Sequence, residues 1–267
     1  MTEIRTWAGP LVMSMSEMSC NPLGNELLWA LAPDDRERLA VSLQTVSFSL
    51  GEVICEPGTR QFWAYFPVDC IVSLLYTMRN GATAETVLVG NDGVVGTSIF
   101  LSGDGSSNHA VVTVAGKALA LPAQILRQEF LRRPSLQCTF LRYTQALLAQ
   151  ISQTAVCNRL HSMEQRLCRW LLLCHDRTQR REVLMTQEFL ASMLGGRRES
   201  VTVAAGHLQD AGLIHYCRGR IQILDRRRLE SNACECYGVV TREFRRLLGR
   251  KGRFQFSQTS VALREAG

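Results

Sequence analysis

The apolar residues of this chain change their spacing near residue 134, and the change divides the chain into two kinds of structure. Between residues 45 and 122 they form short runs, such as "CIVSLL", "ETVLV", "HAVVTV" and "KALALP". Turn sequences such as "EPGTR" and "RNGAT" separate these runs. From Pro134 onward apolar residues recur every three or four positions for about forty residues. The first pattern predicts a closed or sandwiched antiparallel β unit, and the second predicts long helices.

The length and composition allow two ordinary domains. The chain has 267 residues, of which 46% are hydrophobic, so each half can form a core of its own. It has no apolar run long enough to span a bilayer, and the N-terminal 21 residues lack the apolar segment of a secretion signal. We expect a cytoplasmic protein with a flexible leader and no membrane partner.

The charge is concentrated at one end. Residues 1–176 hold 13 basic and 15 acidic side chains, a net charge of −2, whereas residues 177–267 hold 17 and 9, a net charge of +8. A basic region that follows a near-neutral one is typical of a protein that binds a polyanion. A solubilising basic surface would give the same balance, so the charge alone leaves both interpretations open.

The helical segment after Pro134 carries an apolar face that needs a cover. Its members step by four and three residues, as in a coiled coil. They are Leu136, Phe140, Tyr143, Leu147, Ile151, Thr154 and Asn158. We expect a second copy of the chain to cover this face, giving a parallel two-fold dimer; packing within one chain is the alternative.

The stretch "TQEFLASMLGGRRESVTVAAGHLQDAGLI" (186–214) predicts two helices joined by a tight turn. Thr186 is placed to cap the first helix, the pair Gly195 and Gly196 interrupts the pattern, and Gly212 follows the second helix. "LIHYCRGRIQIL" then predicts a small hairpin that turns at Arg218. Helix, turn, helix and hairpin in this order form a winged helix-turn-helix.

The segment "GGRRES" is the candidate binding site. It is no phosphate-binding P-loop, because the lysine and the preceding strand are missing. At the N-terminus of a recognition helix, Arg198 can bridge guanine, Glu199 can accept from cytosine, and Arg197 can meet a phosphate. A solvated charge cluster is the alternative. The candidate DNA-binding residues are Thr186, Gln187, Arg197, Arg198, Glu199, Ser200, Thr202, Val203, Arg218 and Arg220.

These segments resemble the Crp/Fnr transcription regulators, which include the cyclic-AMP receptor protein. The resemblance covers about residues 22–237 and rests on "GEVICEPG", "YFP", "NDGVVG", the long helix and the helix-turn-helix stretch. It implies an α+β chain with an N-terminal antiparallel β-roll, a jelly roll like the cyclic-nucleotide-binding domain. A long dimerisation helix and a C-terminal winged helix-turn-helix would follow. The implied segments are 1–21 (leader), 22–133 (β-roll), 134–176 (dimerisation helix and linker), 177–237 (winged domain) and 238–267 (basic tail).

The resemblance also implies roles for single residues. Arg198 and Glu199 would contact bases and Ser200 the backbone, while Val203 stands where relatives often have arginine, offering only an apolar contact. In the effector pocket, cyclic-nucleotide binders of this family carry a Gly-Glu and an Arg-Ser pair. Here those positions hold Gly96 with Thr97, and Asn108 with His109. A buried phosphate would then lack its cation, so we expect no tight binding of cyclic AMP.

The ten cysteines predict free thiols rather than a metal centre or disulfides. None of them forms a CxxC pair, and only Cys20 lies where the family's iron–sulfur members have a cluster. The pair Cys234 and Cys236 is expected to be incidental, with metal binding or redox sensing as the alternative. The basic segment after residue 237 is expected to be a solvated tail, with added phosphate contacts as the alternative.

Together these features predict a homodimeric regulator that binds double-stranded DNA at a palindromic site and acts on RNA polymerase. No cofactor, metal or catalytic set is predicted, and the effector is unknown. Two alternatives stay open: a regulator that responds to a nucleotide or redox signal through a divergent pocket, and a scaffold protein that binds no DNA.

Overall fold

A computed structural model describes residues 23–101 and 105–249; the leader up to residue 22, with Cys20, and the tail from residue 250 lie outside the described residues. The strands are β1 Gln44–Phe48, β2 Val53–Cys55, β3 Trp63–Pro67, β4 Ile71–Thr77, β5 Thr83–Val89, β6 His109–Val114, β7 Gly116–Pro122, β8 Glu182–Leu184, β9 Ile214–Cys217 and β10 Arg220–Ile223. The helices are α1 Glu26–Ala30, α2 Pro33–Ala40, α3 Ala123–Arg132, α4 Pro134–Leu160, α5 Met163–Thr178, α6 Gln187–Leu194, α7 Arg198–Asp210, α8 Arg226–Asn232 and α9 Glu235–Leu248.

The N-terminal half is the predicted antiparallel β unit. One sheet has the strand order β1-β7-β3 and the other the order β2-β6-β4-β5, with antiparallel pairing throughout. Phe66, Ile71, Leu88 and Leu121 point into the shared core, which is why each strand carries an apolar run. The run "GVVG" forms no strand of its own, and only Val95 makes a bridge, to Tyr65.

The apolar face of α4 is covered largely by the chain itself. Leu136, Phe140, Tyr143 and Leu147 are buried, and Phe140 packs edge-on against the rings of Phe66 and Phe100. The Tyr143 hydroxyl donates to the Val94 carbonyl. The expectation that a second copy covers these four residues is therefore wrong, because the β-roll and α9 provide the cover within one chain.

The segment after residue 237 begins as an ordered helix. Helix α9 runs antiparallel to α4, with Phe244 edge-on against Tyr143 at one end and Cys234 beside Cys157 at the other. Val240 and Leu247 are buried with Phe244, which gives α9 an apolar face toward the body of the chain. The expectation of a solvated tail is thus wrong for residues 238–248.

The motif "NDGVVG" joins the β-roll to the helices. The buried guanidinium of Arg177 on α5 donates from Nε to both Asp92 oxygens at 2.8 Å and from Nη2 to Gln150 on α4 at 2.9 Å. A side chain at Gly93 would collide with the Tyr143 ring, since an added Cβ would lie 2.6 Å from its oxygen. The aspartate and the glycine of this motif therefore serve packing and charge pairing.

A buried acid forms a second joint. Glu85 on β5 accepts hydrogen bonds from Ser73 and, at 3.5 Å, from the Trp170 indole on α5. Desolvation by burial raises the pKa of Glu85 to about 7, partly offset by these hydrogen bonds. Helix α5 thus meets the β-roll through a carboxyl group that changes charge near neutral pH.

The long helical segment is interrupted before the C-terminal half. Helix α4 ends at Leu160, and Ser162 begins α5 with a reciprocal capping box to Gln165. The turn at His161 and Ser162 therefore separates the central helix from the following domain. Within the described residues, no helix is long and apolar enough to cross a bilayer.

Candidate nucleic-acid interface

The candidate interface is built on two helices packed through their apolar faces. Leu190 and Leu194 of α6 are buried in the same core as Val201, Ala205 and Leu208 of α7. Phe189 is half-buried against this core. Because these residues use up the inner face of α7, the first turn of that helix points its other side chains outward.

The two positions between α6 and α7 are glycine for different structural reasons. Gly195 adopts a left-handed backbone with φ of 59° and ends α6, as a glycine just beyond a helix does. Gly196 packs against Met163, where an added Cβ would lie 2.1 Å from the methionine methyl group. Backbone conformation and close packing therefore explain the two glycines of the turn, after which the N-terminus of α7 points away from the body of the protein.

The predicted reading residues lie together at this exposed end. Arg197 is the N-cap of α7, Arg198 and Glu199 form its first turn, and Ser200 follows; all four are exposed. Within the described part of the chain, the side chains of Arg197, Arg198 and Glu199 make no hydrogen bond or ion pair. Their polar groups are thus available to an external partner, as are the free backbone amides of the helix N-terminus. Val203 is 57% exposed one turn further along.

Thr186, Gln187 and Thr202 make polar contacts at the same surface, and the contact between Gln187 and Thr202 joins the two helices. The Thr186 side chain caps α6 by accepting from the Phe189 amide at 3.2 Å. The Thr202 hydroxyl lies 2.9 Å from the Gln187 amide oxygen and 3.0 Å from the Arg198 carbonyl, and it donates to one of these. These polar groups therefore orient the reading helix in addition to facing outward.

The hairpin of β9 and β10 forms a wing beside α7. Arg218 and Gly219 both have positive φ, 49° and 76°, the backbone of a two-residue hairpin turn. Strand β8, which the sequence pattern did not indicate, pairs with β10 and completes a three-stranded sheet. Arg220 is paired with Glu182 at 2.9 Å on the exposed surface, so part of its charge is already compensated.

Two residues that the sequence pattern missed fix the wing against the helices. The Tyr216 amide donates to the Gln209 side chain at 2.7 Å, and the Tyr216 hydroxyl donates to the Met185 carbonyl at 3.0 Å. Burial raises the pKa of Tyr216, which keeps the hydroxyl a donor. No periodicity signals such contacts, because they depend on two turns meeting in space.

Helix α6, helix α7 and the wing enclose an open cleft of about 540 Å³. Thr186, Gln187, Arg198, Arg218 and Gly219 line it, so it brings together five of the residues at this surface. Glu188 and Tyr216 line it as well, so its chemistry is that of hydroxyls, an amide, two guanidinium groups and one carboxylate. The hydroxyls, the amide and the guanidinium groups suit the oxygens of a phosphate backbone and the edges of bases.

Of the four residues of the expected effector pocket, two lie in a backbone turn and two have side-chain partners within the β-roll. Gly96 has a left-handed backbone that starts a short 3₁₀ turn containing Thr97. The Asn108 side chain lies 2.7 Å from the Ser106 hydroxyl. His109 on β6 contacts Glu56 through Nδ1 at 2.7 Å.

The β-roll has a cavity of about 130 Å³ and beside it one of about 410 Å³, and Arg60, Gln61 and Phe62 line both. Small-molecule pockets usually measure roughly 300–1,000 Å³. Cys55 and Tyr65 also line the smaller cavity, and Gln61 is itself engaged by Cys55 and Ser98. Arg60 is a cation that the sequence reasoning did not name; its guanidinium lies 5.6 Å from the Phe62 ring centre.

A second polar cluster lies at the turn between α4 and α5. The side-chain donor atoms of Cys157, His161, Cys234 and Cys236 are all within 4.8 Å of one another. These residue types are metal ligands, and the cluster stands apart from the DNA-binding surface. Among the described residues it is the group of donors that could hold a metal ion.

Known proteins share this architecture. The model of the Crp-like helix-turn-helix domain matches residues 165–231. The global nitrogen regulator of Synechococcus elongatus is 24% identical over 192 residues, which is 68% of this chain and 86% of that protein.

Among solved structures, FixK2 from Bradyrhizobium japonicum superposes with a TM-score of 0.62 at 16% identity, over 72% of this chain and 98% of that one. A transcriptional regulator of the CRP/FNR family from Thermus thermophilus has a TM-score of 0.55 at 25% identity, over 71% of this chain and 98% of that one. These matches confirm the resemblance and the expected fold class. The relatives are described as regulators rather than enzymes, in line with the expectation that the chain catalyses no reaction.

Proposed function

Because the chain carries a Crp-like helix-turn-helix domain within the fold of the Crp/Fnr regulators, we propose that it is a homodimeric transcription regulator. It binds a two-fold symmetric DNA site in the cytoplasm and acts by recruiting or blocking RNA polymerase. It does so without cyclic AMP. The observation that carries the proposal is the exposed, unpaired group of Arg197, Arg198 and Glu199 at the N-terminus of α7.

The proposed reading mode assigns each side chain a partner. Arg198 bonds O6 and N7 of a guanine in the major groove, and Glu199 accepts from the amino group of a cytosine. Arg197, Ser200 and the wing arginine Arg218 hold phosphates on either side. A carboxylate next to DNA weakens binding unless it reads a base, so Glu199 supports sequence-specific rather than general binding.

A dimer is supported by an apolar stripe on α4 that the chain leaves exposed. Leu141, Thr144, Leu148, Ile151 and Ala155 recur in steps of three and four residues. We name these five residues the α4 stripe. Leu141 is 47% and Leu148 58% exposed, and the stripe lies about a third of a turn from the buried face. Its spacing is that of a coiled-coil contact, which suits a second copy of the same helix.

Independence from cyclic AMP is supported by the state of the β-roll. Asn108 and His109 stand at the positions that the resemblance implies for the arginine–serine pair, and they are engaged with Ser106 and Glu56. A cyclic phosphate would have to displace these contacts and would meet no arginine there.

The proposal is tested by selecting bound duplexes from a randomised DNA pool. We expect the full chain to enrich one inverted repeat whose half-site centres lie about one helical turn apart. A single half-site would contradict the dimer, and a pool without any enriched motif would contradict sequence-specific binding. The second result would favour the scaffold alternative.

A further inference from the structure

The turn between α4 and α5 holds four metal-ligand side chains that DNA binding does not use. Cys157 and His161 are four residues apart on the last turn of α4, and Cys234 and Cys236 flank the first residue of α9. The sulfurs of Cys157 and Cys234 are 3.5 Å apart, and the sulfur of Cys236 is 3.5 Å from His161 Nδ1. The three thiols are buried and form a core cluster of their own.

These separations are those of one small ion rather than of a larger cluster. In a tetrahedral zinc site, bonds of about 2.3 Å to sulfur and 2.0 Å to nitrogen place neighbouring ligand atoms roughly 3.5–3.8 Å apart. An iron–sulfur cubane holds several irons between its cysteines and needs wider spacing. From this geometry we propose that Cys157, His161, Cys234 and Cys236 form a Cys₃His site for a single zinc ion.

The surroundings of the cluster favour ligation. His161 turns Nδ1 toward the sulfurs, while Nε2 lies 3.4 Å from a Glu235 oxygen. A carboxylate on the far nitrogen fixes the tautomer that leaves Nδ1 free to bind a metal.

Two buried arginines supply compensating charge. Arg166 and Arg169 are both buried, and both carry a positive charge close to Cys157. Arg169 donates from Nη2 to Thr154 at 2.8 Å, but within the described residues Nε of each arginine and Nη2 of Arg166 have no hydrogen-bond partner. A buried guanidinium group whose N–H donors lack partners is costly. Zinc with three thiolates carries one net negative charge, which offsets that cost.

Binding is an exchange of protons for metal and needs no oxidant. The protons of the three thiols pass to the buffer, and the three thiolates and a neutral imidazole donate lone pairs to Zn²⁺. The ion then ties the start of α9 to the end of α4 at the turn that leads into the DNA-binding domain. We expect it to fix the orientation of that domain.

The test is the zinc content of the reduced, tag-free full chain after loading with Zn²⁺ and removal of free metal. We expect about one zinc per chain, measured by plasma mass spectrometry, and less than a tenth of that in Cys234→Ser. The matched controls Cys138→Ser and Cys217→Ser remove exposed cysteines and should keep the full content. Equal zinc in the wild type and Cys234→Ser would overturn the site.

A second measurement uses only the wild-type chain, so it tests the site even if Cys234→Ser fails to fold. Anaerobic Co²⁺ added to the wild-type chain should give the visible bands of a tetrahedral ion and thiolate-to-cobalt charge transfer, and Zn²⁺ should remove both. The absence of these bands from the reduced chain would overturn the proposal. So would a metal-free chain whose peptide map contains a Cys157–Cys234 disulfide.

Discussion

Two groups of predicted site residues, one at each end of the molecule, differ in whether their polar side chains have partners. At the N-terminus of α7, Arg197, Arg198 and Glu199 are exposed and unpaired within the described residues. In the β-roll, His109 is paired with Glu56, and Asn108 with Ser106. Polar groups intended for an external partner stay available, whereas those that stabilise a fold are satisfied inside it. The contrast is consistent with the proposal that the N-terminal end of α7 binds a partner from outside, whereas Asn108 and His109 stabilise the fold of the β-roll.

The largest expected effect concerns salt, which tests the exposed end. If roughly six to ten phosphates are contacted per dimer, affinity for the selected duplex should fall about a thousandfold or more between 50 and 200 mM salt. Fluorescence anisotropy over a salt series measures this slope. A flat response would show that the basic residues of the C-terminal half do not contact phosphates. The exposed group at the N-terminus of α7 would then no longer count as a DNA-binding surface.

A charge in the α4 stripe should have the next largest effect. Leu148→Asp places a carboxylate in the proposed dimer contact, so we expect a monomer in sedimentation and at least about a hundredfold weaker operator binding. Leu131→Asp is the control, because Leu131 on α3 is exposed outside the stripe. If Leu148→Asp stays dimeric, the stripe is not the contact.

The buried acid of the β-roll, Glu85, predicts how the stability of the chain depends on pH. The folded pKa of Glu85, about 7, lies above its ordinary value of 4.5, so the folded chain keeps a proton that the unfolded chain has lost. Stability should therefore fall as pH rises from about 4.5 to 7, by about 3 kcal/mol in total.

Glu85→Gln removes this dependence, because the neutral amide keeps an oxygen for Ser73 and Trp170. Denaturant unfolding should show the variant about 2–3 kcal/mol more stable than the wild type at pH 8 and nearly equal at pH 4.5. Glu37→Gln, an exposed acid on α2, should change neither value. A loss of stability at pH 8 would mean that the folded chain needs the Glu85 charge.

The smallest expected effect is that of cyclic AMP. At millimolar concentration it should change operator affinity less than twofold, because Asn108 and His109 are engaged with Ser106 and Glu56 and supply no arginine for the phosphate. Titration calorimetry of the nucleotide alone provides the second readout. Micromolar binding would contradict the proposed independence from cyclic AMP.

Local chemistry made the DNA-binding end predictable from sequence. The cap at Thr186, the break at Gly195 and Gly196, and the turn at Arg218 each depend on a few neighbouring residues, and the structure has all of them. Strand β8 was not predicted because its three residues are too few to show a period. Its pairing with β10 is a long-range contact.

Contacts between segments far apart in the sequence could not be predicted from the spacing of residues along the chain. Periodicity shows that Phe140 and Tyr143 need a cover, but it does not say whether β-roll, α9 or another chain supplies it. The basic composition of residues 241–248 masked the apolar face of α9. Likewise, Cys157 and Cys234 are 77 positions apart, so no spacing rule could join them.

The central claim is that Arg198 reads a base, and one binding series tests it most directly. Wild type, Arg198→Ala and Arg246→Ala are titrated against the selected duplex and against duplexes altered symmetrically at each position. Arg246 is an arginine on α9 paired with Glu243, so its substitution controls for charge alone. We expect Arg198→Ala to bind the selected duplex about ten- to a hundredfold more weakly and to lose its preference at one base pair per half-site, while Arg246→Ala behaves as wild type. An unchanged preference in Arg198→Ala would contradict the account.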